Sequence, residues 1–338
     1  MKFTSTQRLL TFTTALLGLF GTAWAEVPTV NSLASGQVGK VYFKSVDRKT
    51  TAVQLINGKF QLTDTVSGDL ILPDSGNGPF PVMVIAHGSG GVVKRDYVWA
   101  EFFKAQGIAA FIIDTYQPRG IHDTVADQSQ LTYPASTADH LMALKLLATH
   151  PKVDATRIGI IGFSRGGQVS VGTAFELWRK RVAGNLKFAV HLPFYGGCSW
   201  IAEQWDGSPI HTFFGDSDDY AQPVSTCQAQ TRFLDKAGIK HSLNVFAGAR
   251  HGFDNLEPTK DYYLGRAQTF NKCSYIWNVE TQVFYSPAPS DMAHSAAGLG
   301  VEAEKCTSHG TTLGPNRKAT EEAKAKVTQI LAETLLKR

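Results

Sequence analysis

The sequence predicts an α/β protein, a mostly parallel central sheet with helices on both faces. Three observations carry that expectation. Short continuous apolar runs, of the kind a parallel sheet buries on both faces, recur along the chain. Helical stretches separate them, and glycine-rich turns follow directly on two of them. The composition agrees: 338 residues, 43% hydrophobic and 18% charged, with 31 Gly and 14 Pro. That is enough apolar sequence for a large core, and too much for a disordered, collagen-like or coiled-coil chain.

The elements follow in order. Residues 66–72 (VSGDLIL) alternate as a half-buried strand, and 73–81 (PDSGNGPFP) is dense turn chemistry. Residues 82–86 (VMVIA) form a strand buried on both faces. A helix over 95–106 has Trp99, Phe102 and Phe103 as its apolar stripe, and 108–113 is the next buried strand, ending at Asp114. Residues 135–149 (ASTADHLMALKLLAT) show helical spacing through Leu141, Leu144 and Leu147. A strand over 157–161 runs straight into GFSRGG, and a helix over 165–179 follows. Strands near 187–193, 210–214 and 241–246, with a helix over 224–237 between the last two, continue the alternation. The tail, 317–337, is rich in Ala, Lys, Glu and Leu and reads as a terminal helix. Residues 26–338 are therefore expected to form one domain. Residues 255–315 break the alternation: they carry two Cys, several aromatics and little periodicity. They read as a disulfide-held surface excursion, and long irregular segments of compact domains are often functional.

Residues 1–25 read as a cleavable export signal. Lys2 and Arg8 precede an apolar stretch at 9–20 (LLTFTTALLGLF), and Ala23-Trp24-Ala25 fits the small-x-small cleavage rule. That stretch is short of the ~20 residues a membrane span needs, and no later segment reads as one. A periplasmic or secreted location follows. In an oxidising compartment the four cysteines pair. Nearest-neighbour pairing, Cys198 with Cys227 and Cys273 with Cys306, staples two loops locally; free buried thiols are the other possibility. The formal charge is +4, with no concentrated basic patch, so nucleic acid is not an expected partner. No H-E-x-x-H, no C-x-x-C and no His pair at helical spacing occurs, so no metal site is expected.

Gly162-Phe163-Ser164-Arg165-Gly166 matches G-x-S-x-G between a strand and a helix. A serine nucleophile needs such a turn, because a sharp strand-to-helix elbow lifts Oγ clear of the sheet and demands hydrogen-sized neighbours. A plain glycine-rich turn is the alternative. His87-Gly88-Ser89-Gly90-Gly91 follows strand 82–86, and its glycines leave backbone N–H groups open to an oxyanion. The N–H groups of Ser89 and Arg165 are the candidate donors. The loop fits neither the dinucleotide fingerprint nor the phosphate-loop spacing. A base and an acid should follow, each just after a strand, in the order Ser, Asp, His. His251 in AGARHGFD is better placed than His87, His241, His294 or His309, and Gly215-Asp216-Ser217-Asp218-Asp219 supplies the acid. Asp218 is the first choice and Asp216 the second.

Five segments together resemble the dienelactone hydrolase group of α/β-hydrolases. They are HGSGG at 87–91, DTYQPRG at 114–120, HPKVDATRIGIIGFSRGG at 150–167, GDSDD at 215–219 and GARHGFD at 248–254. The resemblance covers about 65–254 and implies the α/β-hydrolase fold. It also implies an acid third after a glycine, which favours Asp218. The family's founding enzymes carry Cys as nucleophile where this chain has Ser164, and that departure favours ordinary carboxylic esters over dienelactone. The expectation is a secreted serine hydrolase cleaving small-molecule carboxylic esters through an acyl-enzyme, with water as second substrate and no cofactor. A lactonase, which would take a small-molecule lactone, or a peptidase on the same scaffold, or a non-catalytic binding protein with a hydrolase fold, are the alternatives. Arg119 is a candidate anchor for a substrate carboxylate, although a structural ion pair would also explain it. Trp200, Trp205 and Tyr195 are candidate pocket walls, with simple packing as the other reading.

Overall fold

The computed structural model describes residues 27–285, 293–294 and 306–337. The expected export signal, residues 1–25, lies outside the described residues, as does part of the expected excursion. No helix among the described residues is long and apolar enough to cross a membrane.

In chain order the first half runs β1 (Gly39–Ser45), α1 (Ala52–Ile56), β2 (Asp64–Ile71), β3 (Phe80–Ala86), α2 (Lys94–Lys104), β4 (Ala109–Asp114), α3 (Tyr133–Leu147), β5 (Val153–Phe163) and α4 (Arg165–Gly172). Then come α5 (Glu176–Ala183), β6 (His191–Phe194), β7 (Trp200–Ile201), β8 (Ile210–Gly215), α6 (Val224–Lys236) and β9 (His241–Phe246). Short strands β10 (Tyr262–Thr269), β11 (Ile276–Asn278), β12 (Phe284–Tyr285), β13 (Ala293–His294) and β14 (Ser308–Leu313) precede the terminal α7 (Arg317–Glu333). Among the described residues one eight-stranded sheet has the order β1-β2-β4-β3-β5-β6-β8-β9. β1 and β2 pair antiparallel, β2 meets β4 antiparallel, and all later pairs are parallel.

The strand period of two explains why both faces need helices. In β3, Val82, Val84 and Ala86 face one core with Leu141 and Leu144 of α3 and Trp178 of α5. Met83 and Ile85 face the other core, with Trp99 and Phe103 of α2 and Val327 and Leu331 of α7. Every β3 residue is therefore buried, the pattern its unbroken apolar run requires.

The structure departs from the sequence reading at three places. The helix expected over 165–179 is two helices, because Phe175 is extended (φ −73°, ψ 116°) and Glu176 N–H turns to the Gln204 carbonyl at 3.0 Å. The buried ring of Phe175 is held between Trp178 and Trp205, at 5.3 and 5.1 Å, which favours the break over a continuous helix. β1 lacks a strong apolar signal and was not expected; its register with β2 makes it a strand. Residues 255–315 are not merely irregular surface. β10 and β14 form an antiparallel ribbon, and β13-β12-β11-β7 form a second small sheet that takes in a strand from the main body. The cysteines pair as nearest neighbours, Cys198–Cys227 with S–S 2.01 Å and Cys273–Cys306 with S–S 2.04 Å.

Candidate active site

Ser164 stands between β5 and α4 with φ 57° and ψ −116°, a left-handed region that a residue with a Cβ rarely adopts. Its N–H is held by the Phe194 carbonyl at 2.9 Å. The flanking glycines are sterically obligatory. A Cβ on Gly162 would lie 2.0 Å from the Gly166 carbonyl oxygen, and one on Gly166 would lie 2.1 Å from that of Ala86. The close approach of α4 to β5 and β3 thus explains the G-x-S-x-G spacing.

Three loops at the carboxyl ends of parallel strands meet here, as open α/β sheets favour. His251, after β9, places Nε2 2.8 Å from Ser164 Oγ, and its Nδ1–H donates to Asp218 Oδ2 at 2.8 Å. Asp218, after β8, is fixed from behind: Oδ1 accepts the N–H of Tyr220 at 2.8 Å and of Ala221 at 3.0 Å. The side chains of His251 and Asp218 are 4% and 0% exposed, so this chain of hydrogen bonds is shielded from water. The Tyr220 ring stacks on the imidazole at 4.4 Å and Tyr195 meets its edge at 4.8 Å. Burial raises the pKa of both phenols, keeping them neutral. The other two carboxylates of the acidic turn serve structure. Asp216 accepts the Gly248 N–H at 2.7 Å. Asp219 accepts the Thr311 hydroxyl at 2.6 Å and the Thr312 N–H, pinning β14 to the turn.

The loop after β3 is held in place by groups that sequence reasoning missed. Gln128 donates to Ser89 Oγ at 2.8 Å and accepts from Arg165 Nη1 at 2.8 Å, so one amide links the two candidate oxyanion residues. The Arg165 guanidinium also donates to the Leu131 carbonyl and lies 4.0 Å over the Tyr133 ring. His87 is the neutral tautomer: Nδ1–H donates to the Gly88 carbonyl at 2.7 Å, and burial lowers its basicity. Behind Tyr195, its hydroxyl donates to Asp254 at 2.5 Å, and Trp99 donates to the same carboxylate at 2.7 Å. Asp254 lies in the quoted GARHGFD block, whereas Gln128 and Tyr220 carried no sequence signal.

Two cavities flank Ser164, and Ser89, Tyr220 and His251 border both. The first, about 160 Å³, is lined by the glycine loop, Arg95, Tyr195 and the β10–β14 ribbon through Tyr262, Leu264 and Leu313. The second, about 100 Å³, is lined by Tyr133, Trp200, Phe270 and Tyr275 with Gln168. Trp200 and Tyr195 therefore do face the site. Trp205 does not: it packs against Phe175 and lines neither cavity.

Arg119 requires the firmest correction. Its side chain is 2% exposed and all its N–H groups are engaged inside the protein. Nε donates to Asp64 at 2.7 Å, Nη1 to Asp139 at 2.6 Å and to the Thr115 carbonyl, and Nη2 to Asp139 and the Val46 carbonyl. A guanidinium with no free donor cannot anchor a substrate carboxylate, and Arg119 instead ties α3 to β2.

The sheet order, the strained serine at a strand-to-helix elbow and the buried histidine beside it define an α/β-hydrolase. The family model of the dienelactone hydrolase family matches residues 66–276, and the chain belongs to that family. It is a carboxylic ester hydrolase. Among solved structures, a thermophilic esterase from Thermogutta terrifontis with propionate bound is 17% identical, at a TM-score of 0.47 over 64% of this chain and 87% of that one. An α/β-hydrolase enzyme from a deep-sea metagenome library is 21% identical, at a TM-score of 0.42 over 62% of this chain and 85% of that one. No curated protein matches the chain.

Proposed function

We propose that the protein is an exported serine esterase working through an acyl-enzyme. Ser164 Oγ attacks the ester carbonyl carbon as His251 Nε2 takes its proton. The tetrahedral oxyanion is held by the backbone N–H groups of Ser89 and Arg165, the latter opening helix α4, where the helix dipole adds to the attraction. Collapse breaks the C–O bond, and the imidazolium gives its proton to the departing alkoxide. Water, deprotonated by the same imidazole, attacks the acyl carbon. The acid leaves as the proton returns to Ser164. Asp218 holds the imidazole in the Nδ1–H tautomer and stabilises the imidazolium without taking its proton. A lactone would follow the same steps with its alcohol still tethered.

The observation that carries this reading is the pair of 2.8 Å contacts from one imidazole to Ser164 and Asp218, at the junction of two cavities. The two disulfides, which persist in oxidising compartments, support export to the periplasm or beyond. The test is hydrolysis of 4-nitrophenyl esters from acetate to octanoate by the protein and by Ser164→Ala. Turnover should vanish in the variant, and a fluorophosphonate should label the parent at Ser164. Absence of both turnover and labelling would leave a binding protein on a hydrolase scaffold.

A further inference from the structure

The second cavity contains a polar group that the hydrolytic steps do not use. Gln168 sits on α4 four residues after Ser164, and both line this cavity. It is 4% exposed and lines the cavity. Its Oε1 meets only the Ser199 hydroxyl, at 3.5 Å, and its Nε2 has no hydrogen-bond partner among the described residues. The other glutamines of the cavity are engaged, Gln128 with Ser89 and Gln222 with the Tyr275 carbonyl at 3.4 Å. Space for the Gln168 amide is built into the backbone: a Cβ on Gly197 would lie 1.8 Å from its Oε1. A buried donor left unpaired costs free energy comparable to a lost hydrogen bond, so a position that keeps one open invites an acceptor from the substrate. Around it stand Tyr133, Trp200, Phe270 and Tyr275. Tyr133 and Trp200 meet edge to face at 5.3 Å, an aromatic lining that suits a ring. The space is about 100 Å³ and opens beside Ser164.

We propose that this cavity binds an aromatic ring of the substrate carrying a hydrogen-bond acceptor, and that the Gln168 amide N–H is the donor that selects it. The inference rests on the serine-esterase reading and names the substrate class for it: aryl esters with a carbonyl or ether oxygen on the ring. An aliphatic group would fill the same space yet leave the amide unpaired.

The experiment compares kcat/KM for isosteric pairs that differ in the acceptor. Ethyl 4-acetylbenzoate against ethyl 4-isopropylbenzoate puts the ring on the acyl side. The acetate esters of 4-acetylphenol and 4-isopropylphenol put it on the alcohol side. Dividing each ratio for the native enzyme by the same ratio for Gln168→Met cancels the substituent's effect on intrinsic reactivity. A quotient of about five- to tenfold is expected in one arm, which also names the side bearing the ring. Quotients within about twofold of one in both arms overturn the proposal. A second measurement needs no variant: acetophenone should inhibit 4-nitrophenyl acetate hydrolysis more tightly than isopropylbenzene, although it is the less apolar of the two. Equal or reversed order overturns the proposal. Hydrolysis of 4-nitrophenyl acetate that survives Ser164→Ala would sink the esterase reading itself. Hydrolysis lost in that variant, with flat quotients, sinks the role of Gln168 alone.

Discussion

At Ser164 the backbone holds a conformation that costs on the order of 1–3 kcal/mol for a residue with a Cβ, and the surrounding structure must over-determine it. The Phe194 carbonyl and the two closely approached glycines do so. The acidic turn shows how two residue positions separate a carboxylate held on the imidazole from one that braces the neighbouring loop. Asp218→Asn keeps the shape and loses the charge that fixes the imidazole tautomer, so kcat should fall by roughly 10⁴-fold with little change in thermal stability. Asp216→Asn, whose side chain meets the Gly248 N–H and the Ser217 hydroxyl, should leave kcat within about twofold, its contacts being peripheral. Steady-state kinetics on both variants separates the two carboxylates, and equal losses would remove Asp218 from the mechanism. Arg119→Met strands the buried Asp139 carboxylate and should cost about 3–5 kcal/mol in chemical denaturation, since half of a buried pair is worse than none. A loss of activity toward anionic esters at unchanged stability would contradict that account. The motif glycines, Ser164, His251 and Asp218 were legible from sequence because each sits at a strand end where the chemistry dictates residue type. Arg119 has two readings in the sequence, anchor or structural ion pair, because a guanidinium in a loop looks the same whether its partners are substrate or protein; the structure shows the ion pair.

Among the elements, the strands of the main sheet other than β1 were readable from their hydrophobic pattern, and the small sheets of 255–315 were not. β10 and β14 take their pairing from each other across more than thirty residues, and from Asp219 clasping Thr311 and Thr312. Neither strand has the unbroken apolar run that announces burial on both faces. The Arg266 guanidinium donates to both oxygens of Asp123, at 2.9 and 3.0 Å, and draws that carboxyl down to about 2. This clasp joins β10 to the loop that also carries Val125 into the first cavity. Both disulfides brace the second cavity: Cys198 lies between Gly197 and Ser199, and Cys273 between Phe270 and Tyr275. The Cys198→Ser/Cys227→Ser protein should lose about 2–4 kcal/mol of stability, as the closed loop's entropy is restored to the unfolded chain. Because the walls loosen while Ser164 and His251 stay in place, KM should rise more than kcat falls. A thermal melt with steady-state kinetics checks both, and kcat falling alone would place the bridge in the catalytic geometry.

Over the whole molecule, buried neutral histidines set the acid limit of stability. His140 on α3 is 2% exposed, and burial pushes it down to about 3; burial likewise lowers His211 to about 4. Unfolded histidine titrates near 6.5, so below that pH the unfolded chain takes up protons that the folded state refuses. Stability is full above about 6.5 and falls as the pH drops toward the folded pKa values. For His140 alone the loss is on the order of 5 kcal/mol once the pH lies below the folded value. Urea unfolding between pH 7.5 and 4.5 should show the decline, and His140→Leu should flatten it. A variant curve parallel to the parent's would remove His140 from the account.

The sequence by itself determined the parallel α/β core and the chain order of Ser164, Asp218 and His251. Periodicity and glycine placement answer to local sterics and to burial on a sheet, and both are written residue by residue. Only the tertiary structure decided what surrounds Ser164: that Gln128 links Ser89 to Arg165, that Tyr220 stacks on His251, that the Gln168 Nε2 has no partner among the described residues, and that Arg119 is spent on Asp64 and Asp139. Each of these depends on which side chains from distant segments fill the same space, and no local pattern encodes that meeting.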